Sequence, residues 1–596
     1  ELKKVTWEYS FKWKPPEYNT IDFLVTTKKS ENGEDEIGNM FVEGVNLTNE
    51  EKVTQYKTLE LRVGFDEKKH GYINPMNDVI NDVVSTKEFS NTKYYDNDDT
   101  YKPVLFYPTD PSDNEAHICE LNLINDDAGN KQMTTENGEV FTNNMIVEFK
   151  YDKSKPTRKR WIPIKVRYDK TADFKKGGKN YGNAYHVANS NWYSIHNPIT
   201  VHMLKTGEDI PENNQDDDVY YNRVSNINNT QALRDFHNIF VKKKLITAVS
   251  NRGDTLIDYA VGKGGDFPKW IQAKLSFVFG IDISKDNIEN RINGACARYL
   301  NYRKDYGSMP SALFVHGNSG LNIKNGEALF SEKDKLISKA VFGEGVKSES
   351  KLGKGVFKQY GKGVEGFNIS SCQFALHYFF ENSDTLINFM RNISECTKVN
   401  GYFIGSCYDG KLIFEKLKQK KIGEGITLMD KTNTHKIWQI IKQYDKKELK
   451  NDNTSVGVGI DIYQETINKT FREYLVNFDY LIRVMENYGF VPLDDQDAKK
   501  MGIPSGIGNL RELFSLLEEE VIKNKKLKKD IKKSLDMSEN EKYISFLNKY
   551  FIFKKIRNVD AKSVKIEIIE EEELETNKEK KVSTNKKQNK KIRLVE

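Results

Sequence analysis

Leu256-Ile257-Asp258-Tyr259-Ala260-Val261-Gly262-Lys263-Gly264-Gly265-Asp266 is the stretch that decides the fold. A short apolar run ends at an acid, enters a turn of small residues and continues toward a helix. Small residues let a backbone approach a ligand closely, and a helix start offers unpaired N–H groups. A second apolar run, Phe277-Val278-Phe279-Gly280-Ile281, ends at Asp282, 24 residues after Asp258. An acid at that offset is placed to accept hydrogen bonds from ribose hydroxyls. A third run closes at Val315-His316-Gly317-Asn318, where a contact to an adenine ring falls.

Outward from this stretch, residues 231–560 alternate helical segments with short apolar strands at Thr255–Tyr259, Phe277–Ile283, Ala312–His316, Phe367–Cys372 and Gly401–Cys407. That alternation predicts an α/β domain with a doubly wound sheet. The Gly/Lys/Ser-rich stretch Phe342–Gly366 reads as an exposed insertion. Residues 1–170 carry Val/Ile/Phe/Tyr runs punctuated by Gly, Asn and Asp, such as Ile21–Val25, Leu59–Val63, Val104–Tyr107 and Met145–Tyr151. They predict a β-rich barrel or sandwich. Residues 171–230, polar and Asn-rich, read as a linker with some ordered pieces. Residues 561–596 read as a disordered, low-complexity charged tail.

Charged residues are 30% and hydrophobic ones 37% of the 596, as suits globular domains with wet surfaces. The net charge of +5, from 92 basic and 87 acidic residues, is too balanced to establish nucleic-acid binding by itself. No apolar run is long enough for a transmembrane helix. The five cysteines form no C-x-x-C pair, so no metal site is expected, and a reducing compartment such as the cytoplasm follows. The chain starts at Glu1 and reads as part of a longer enzyme. A P-loop is excluded because G-K-[ST] is absent, and an NAD site is disfavoured because the turn lacks G-x-G-x-x-G in the dinucleotide arrangement.

These residues resemble the mRNA cap guanine-N7 methyltransferases. The loop Asp258–Asp266 with Phe267-Pro268-Lys269-Trp270 is similar to that family's D-x-G-x-G-K-G-G-D and L-x-K-W. Ser371-Cys372-Gln373-Phe374-Ala375-Leu376-His377-Tyr378 is similar to S-C-Q-F-x-x-H-Y. Gly401-Tyr402-Phe403-Ile404-Gly405 matches G-G-Y-F-I-G apart from Asn400 at its first position. Phe236-His237-Asn238 with Lys242, and Glu473-Tyr474-Leu475-Val476, resemble the family's N-terminal helix and its cap-reading segment. Departures are Ala260 for Gly, Val261 for Cys and Asn318 for Asp, and Lys242 aligns only with a one-residue insertion.

The resemblance implies a Rossmann-like class I methyltransferase using S-adenosyl-L-methionine. Its donor would be held by Lys242, Asp258, Ala260, Asp282, Asn318, Gln373 and Tyr378. A capped mRNA 5′ end would be held by His237, Asn238, Lys263, Lys269, Arg298, His377, Glu473 and Tyr550. No general base is expected, because guanine N7 already carries a lone pair.

The N-terminal part carries its own resemblance. Lys12-Trp13-Lys14-Pro15 with Asn19-Thr20-Ile21-Asp22-Phe23, and Trp161, Arg167, Asp169 and Lys170 in W-x5-R-x-D-K, are similar to guanylyltransferase motifs on the nucleotidyl-transfer domain and its OB-fold lid. The catalytic K-x-D-G is absent, so this part is expected to be inactive in GMP transfer. The order resembles capping enzymes of poxviruses and giant viruses, and Asn183–Thr200 resembles the giant-virus linker. A viral factory or virion in the cytoplasm is then expected, and the resemblance leaves open whether a small stimulatory subunit is needed. A non-catalytic module that binds capped RNA or a partner subunit is the competing reading.

Overall fold

The computed structural model describes residues 18–30, 32–41, 53–66, 70–83, 101–109, 111, 113, 115–207, 229–430, 432–465, 467 and 469–565. Lys12, Lys14, the acidic run 216–218 and residues 566–596 of the tail lie outside them. The chain divides into two units, one of residues 1–74 with 85–213, the other of residues 75–84 with 214–596.

The first unit is built on antiparallel strands. β1 (Ile21–Thr27) pairs with β3 (Val53–Asp66) and with β9 (Met145–Tyr151), and β10 (Trp161–Val166) lies beyond β9. The long β3 carries β1 and β2 (Ile37–Phe41) along one edge, and β4 (Tyr101–Leu105) and β5 (Ile118–Asn122) along the other. β6 (Ile124–Asn125), β7 (Lys131–Thr134) and β8 (Val140–Phe141) make a small separate sheet. The unit is β-rich as expected, but among the described strands the pairing path has two ends, at β10 and β2, and does not close into a barrel.

Residues 171–196 fold with these strands rather than forming a linker, whereas the helix Val201–Thr206 beyond them buries no residue. Tyr185, Ala188, Trp192 and Ile195, spaced at helical intervals on the helix Tyr185–His196, enter the same core as Phe23 and Trp161. The Asn-rich composition hides this apolar stripe. Trp192 Nε1 also donates to the carbonyl of Pro111 at 2.9 Å.

The second unit contains a sheet in the order β13-β12-β11-β14-β15-β22-β20. β11 (Thr255–Asp258), β12 (Phe277–Asp282), β13 (Ser311–His316), β14 (Phe367–Gln373) and β15 (Thr397–Tyr408) run parallel. A second, four-stranded sheet follows β15: β16 (Gly425–Met429), β17 (Lys436–Lys442), β18 (Gly459–Gln464) and β19 (Lys469–Tyr474). β20 (Phe490–Pro492), β21 (Ile507–Asn509) and β22 (Asn548–Lys555) return to the main sheet, β22 antiparallel to β15. This is the doubly wound order expected from the sequence, with its chain reversal beside β11. Gly405 is required in β15, since a Cβ there would lie 2.0 Å from the Cys372 carbonyl oxygen. Asn400 has φ +65°, a left-handed conformation that asparagine tolerates better than most residues.

The stretch Phe342–Gly366 is not an exposed insertion. Phe342, Leu352 and Val356 are buried. Gly355 packs so closely on the segment 75–84 that a Cβ would lie 2.3 Å from the Val79 carbonyl oxygen. The helix Pro75–Ile80 is thus part of this unit, and Asp82, just beyond it, bonds Arg303 and Lys358, both at 2.5 Å. No helix of the described residues is long and apolar enough to cross a membrane. All five cysteines are buried and unpaired, and no metal-binding group occurs among the described residues.

Candidate active site

The strand ends β11, β12 and β13 converge on the glycine turn. Gly262 and Gly264 have φ of +55° and +67°, a conformation that glycine adopts freely. The Gly262 N–H donates to Asp282 Oδ2 at 2.7 Å, and Asp282 Oδ1 accepts from the Ser284 N–H and from Asn287 Nδ2, both at 3.0 Å. The acid expected to bind ribose therefore also sets the turn. Burial raises the Asp282 carboxyl against these hydrogen bonds. Asp258, at the end of β11, accepts the Ala260 N–H at 3.1 Å. Burial first, and then the charge of Asp266, push it up to about 7. Burial acts the same way on Asp266, but Lys242 at 3.5 Å and Lys269 at 2.8 Å outweigh it and hold that carboxyl at about 2.

Asn318 sits just past β13, its own N–H bonded to the Ala328 carbonyl at 2.7 Å. Its Oδ1 accepts from the Gly320 N–H at 2.8 Å. Because a backbone N–H can only donate, this contact orients the amide and turns Nδ2 away from it. Ser319, which the sequence reading did not single out, clamps this loop to the glycine turn through Oγ to the Tyr259 carbonyl at 2.8 Å.

Gln373 ends β14, and its Oε1 accepts from Ser406 Oγ at 3.4 Å while its buried Nε2 has no hydrogen-bond partner. The next residue, Phe374, is a non-glycine at φ +57°. Its ring stacks on His237 at 4.7 Å and 18°, with Lys242 Nζ 5.9 Å from the ring centre. A bulky residue in that conformation is strained and marks functional segments. Phe374 lies within the motif Ser371–Tyr378, and an aromatic between Gln373 and His377 is the signal that the sequence carries for it.

His377 and Tyr378 lie on the short helical turn Leu376–Phe380, their rings 4.3 Å apart. Strand β19 packs over this turn and brings in Glu473. Glu473 and His377 are 4% and 5% exposed, with Glu473 Oε2 3.5 Å from His377 Nε2. Neither ring nitrogen nor that carboxylate oxygen has a hydrogen-bond partner. Burial pushes Glu473 up to about 8 and His377 down to about 3, so both are neutral near pH 7. Such a pair is costly unless a ligand completes it.

The remaining expected contacts divide. His237 bonds Ser545 Oγ at 2.9 Å through Nε2, and burial, with Lys242 nearby, lowers it to about 3. Asn238 Nδ2 donates to the Arg234 carbonyl at 3.0 Å. The three cations expected at a triphosphate are near the glycine turn, but each is engaged within the protein. Lys263 pairs with Asp286 at 2.7 Å, Lys269 with Asp266, and Arg298 Nη1 donates to the Lys263 carbonyl at 2.8 Å. Tyr550 is corrected: it is fully buried in β22, with its hydroxyl bonded to Ser505 Oγ at 2.9 Å, so its ring presents no face for a cap base. In the first unit, Arg167 and Lys170 both bond Asp22 Oδ2, at 2.6 and 2.5 Å, and Asp169 is 3.7 Å from Arg167.

The site thus combines a glycine turn with two strand-end acids, and a buried carboxyl facing a buried histidine without hydrogen-bond partners. Residues 213–556 match the mRNA (guanine-N(7))-methyltransferase domain. The chain belongs to this family. The family is S-adenosylmethionine-dependent. Among relatives, the chain is 26% identical to the "Probable mRNA-capping enzyme" of Acanthamoeba polyphaga mimivirus, over 92% of this chain and 44% of that protein. It is 22% identical to the mRNA-capping enzyme of African swine fever virus, over 60% of this chain and 36% of that one. With mRNA cap guanine-N(7) methyltransferase 1 of Arabidopsis thaliana it shares 27% identity, over 42% of this chain and 57% of the plant protein. The chain thus spans less than two thirds of each of these relatives.

The residues fit the family's donor. Asp258 and Asp282 are buried carboxyls at the ends of adjacent strands, suited to a cationic donor carrying ribose hydroxyls, and Gln373 at the end of β14 holds a buried Nε2 with no hydrogen-bond partner.

Proposed function

We propose that residues 231–560 transfer a methyl group from S-adenosylmethionine to N7 of the guanine in a GpppN mRNA cap. The observation that carries this reading is the buried pair Glu473 and His377, whose facing polar atoms lack hydrogen-bond partners. Guanine offers two adjacent donors on its Watson–Crick edge, N1–H and the 2-amino group, and a carboxylate can accept both.

When bound, S-adenosylmethionine supplies an electrophilic methyl on a sulfonium, whose C–S bond breaks with its electron pair going to sulfur as the N7 lone pair forms the new bond. The chain has no proton to remove. Its work is positioning and exclusion of water, which together supply several kcal/mol or more. Asp282 holds the ribose side and Asp258 the cationic side of the donor, with Lys242, Ala260, Asn318, Gln373 and Tyr378 around them. Glu473 and His377 fix the guanine edge, with Phe374 and His237 as a stacked wall. Asn238, Lys263, Lys269 and Arg298 line the approach for the triphosphate once their internal bonds exchange.

We further propose that the β-rich unit, its described sheet open between β10 and β2, is the lid of a capping enzyme on the partly open OB-fold plan, with Arg167, Asp169 and Lys170 as its motif. The whole enzyme would act in the cytoplasm, at a viral factory or in a virion, with or without a small stimulatory subunit. The test of the methyltransferase reading is direct. The chain is incubated with GpppA-ended RNA and methyl-labelled donor, and the digested cap is analysed. Labelled 7-methylguanosine upholds the reading. Binding of the capped RNA with neither donor binding by calorimetry nor methylation favours a non-catalytic cap-binding module.

A further inference from the structure

Seven lysines stand between residues 523 and 533, against the single acid Asp530. All seven are exposed, while Ile531 and Ser534 are buried and tie the segment down from beneath, Ser534 Oγ bonding the Ile531 carbonyl at 2.5 Å. Among the described residues only Lys523 of the seven has an ion-pair partner, Glu519 at 3.7 Å. The neighbouring Glu520 is turned to Lys244. Like charges at this density repel and work against folding. A run of cations pinned in place, six of the seven without an ion-pair partner among the described residues, suits a polyanion.

Its position says which polyanion. The Lys533 N–H donates to Asp235 Oδ2 at 3.2 Å, and His237, two residues further on, bonds Ser545 through Nε2. The lysine run is therefore fastened to the same short segment that carries the His237 wall of the candidate cap site. A capped RNA held at that site must lead its chain away over the protein surface, with one phosphate charge per nucleotide.

We propose that Lys523–Lys533 binds the phosphate backbone of the RNA downstream of the cap. This rests on the cap-methyltransferase reading. A cap dinucleotide lacks the chain to reach the lysines, so the run should discriminate by RNA length and not by cap chemistry.

The test uses the full chain carrying Lys525→Gln, Lys526→Gln, Lys528→Gln, Lys529→Gln, Lys532→Gln and Lys533→Gln, beside a variant with arginine at the same six positions. Methylation of GpppA and of a capped RNA of about 25 nucleotides is measured, with binding of both capped and uncapped RNA followed by anisotropy at several salt concentrations. The glutamine variant should lose at least about tenfold in kcat/KM on the long RNA, keep its activity on GpppA, and show a shallower salt dependence of RNA binding. The arginine variant should behave as wild type. Unchanged RNA binding in the glutamine variant overturns the proposal and leaves the run to an acidic protein partner. So does an equal loss on both substrates. If the wild-type chain methylates neither substrate, the methyltransferase reading has failed instead, and the anisotropy series still decides the lysine run.

Discussion

His377 Nε2 and Glu473 Oε2 lie 3.5 Å apart inside the protein, and neither has a hydrogen-bond partner. At that distance and burial the two do not form an ion pair, since burial holds each in its neutral form. The fold therefore keeps in place a pair whose facing atoms gain no hydrogen bond within the protein.

Glu473→Gln should lower cap methylation at least about tenfold, or 1.4 kcal/mol, because the amide presents a donor where guanine needs an acceptor. Donor affinity should not change. The same substitution should stabilise the protein. A carboxyl raised in the fold contributes stability that is present below its usual 4.5 and lost as pH rises toward about 8. The gap in melting temperature between Glu473→Gln and wild type should thus widen from about pH 4.5 to about pH 8. Thermal melts across that range check it, and a gap independent of pH would count against a buried neutral Glu473.

Cap binding should release a proton. At pH 7 the unliganded protein holds Glu473 protonated, whereas pairing with both guanine donors requires the carboxylate. His377, lowered to about 3, stays neutral throughout. Calorimetry in buffers of different ionisation enthalpy should report about one proton released per GpppA bound, and affinity should fall as pH drops below about 8. Zero proton release in wild type would mean that Glu473 is already ionised or takes no part.

Asp282→Ala should abolish tight donor binding and also loosen the glycine turn. The mutation removes the ribose acceptor and strands the Gly262 N–H, which has Asp282 Oδ2 at 2.7 Å. Each lost contact costs roughly 1–3 kcal/mol. Isothermal titration with S-adenosylhomocysteine and a melting curve should move together. Loss of binding with unchanged melting would show that the turn holds itself.

Asn318 should read adenine through its amide N–H. With Oδ1 given to the Gly320 N–H, Nδ2 is left to donate, and adenine N1 is an acceptor while its 6-amino group is not. Wild type should bind 1-deaza-S-adenosylhomocysteine about fivefold more weakly, or ~1 kcal/mol, and tolerate loss of the 6-amino group. In Asn318→Asp the order should reverse. A wild-type protein that depends more on the 6-amino group than on N1 refutes this orientation.

Asp22→Ala should destabilise the β-rich unit. The Asp22 side chain is 7% exposed and pairs with both Arg167 and Lys170 through Oδ2. These cations keep some solvent, so the cost should be about 1.5–3 kcal/mol rather than that of a fully buried pair. Chemical denaturation followed by the fluorescence of Trp161 and Trp192 measures it, and an unchanged midpoint would make the cluster a mere surface network.

The sequence by itself determined whatever depends on a few neighbouring residues. Apolar runs ended by Asp258 and Asp282, with small residues between, fixed two strand ends and the turn joining them. Strand formation and left-handed glycine geometry are local, so they can be read from spacing. The sequence also named Glu473 and His377, but only as separate candidates. Their 3.5 Å approach exists because strand β19 packs over the turn Leu376–Phe380, a contact between segments almost a hundred residues apart. Only the tertiary structure decided that Tyr550 is core, that Lys263, Lys269 and Arg298 are held by internal partners, that Phe374 is forced into a left-handed conformation against His237, and that the Asn-rich stretch holds Trp192 in a core. Burial and partner choice depend on which distant surfaces meet, and they in turn set the protonation state of a carboxyl such as Glu473, which no local pattern encodes.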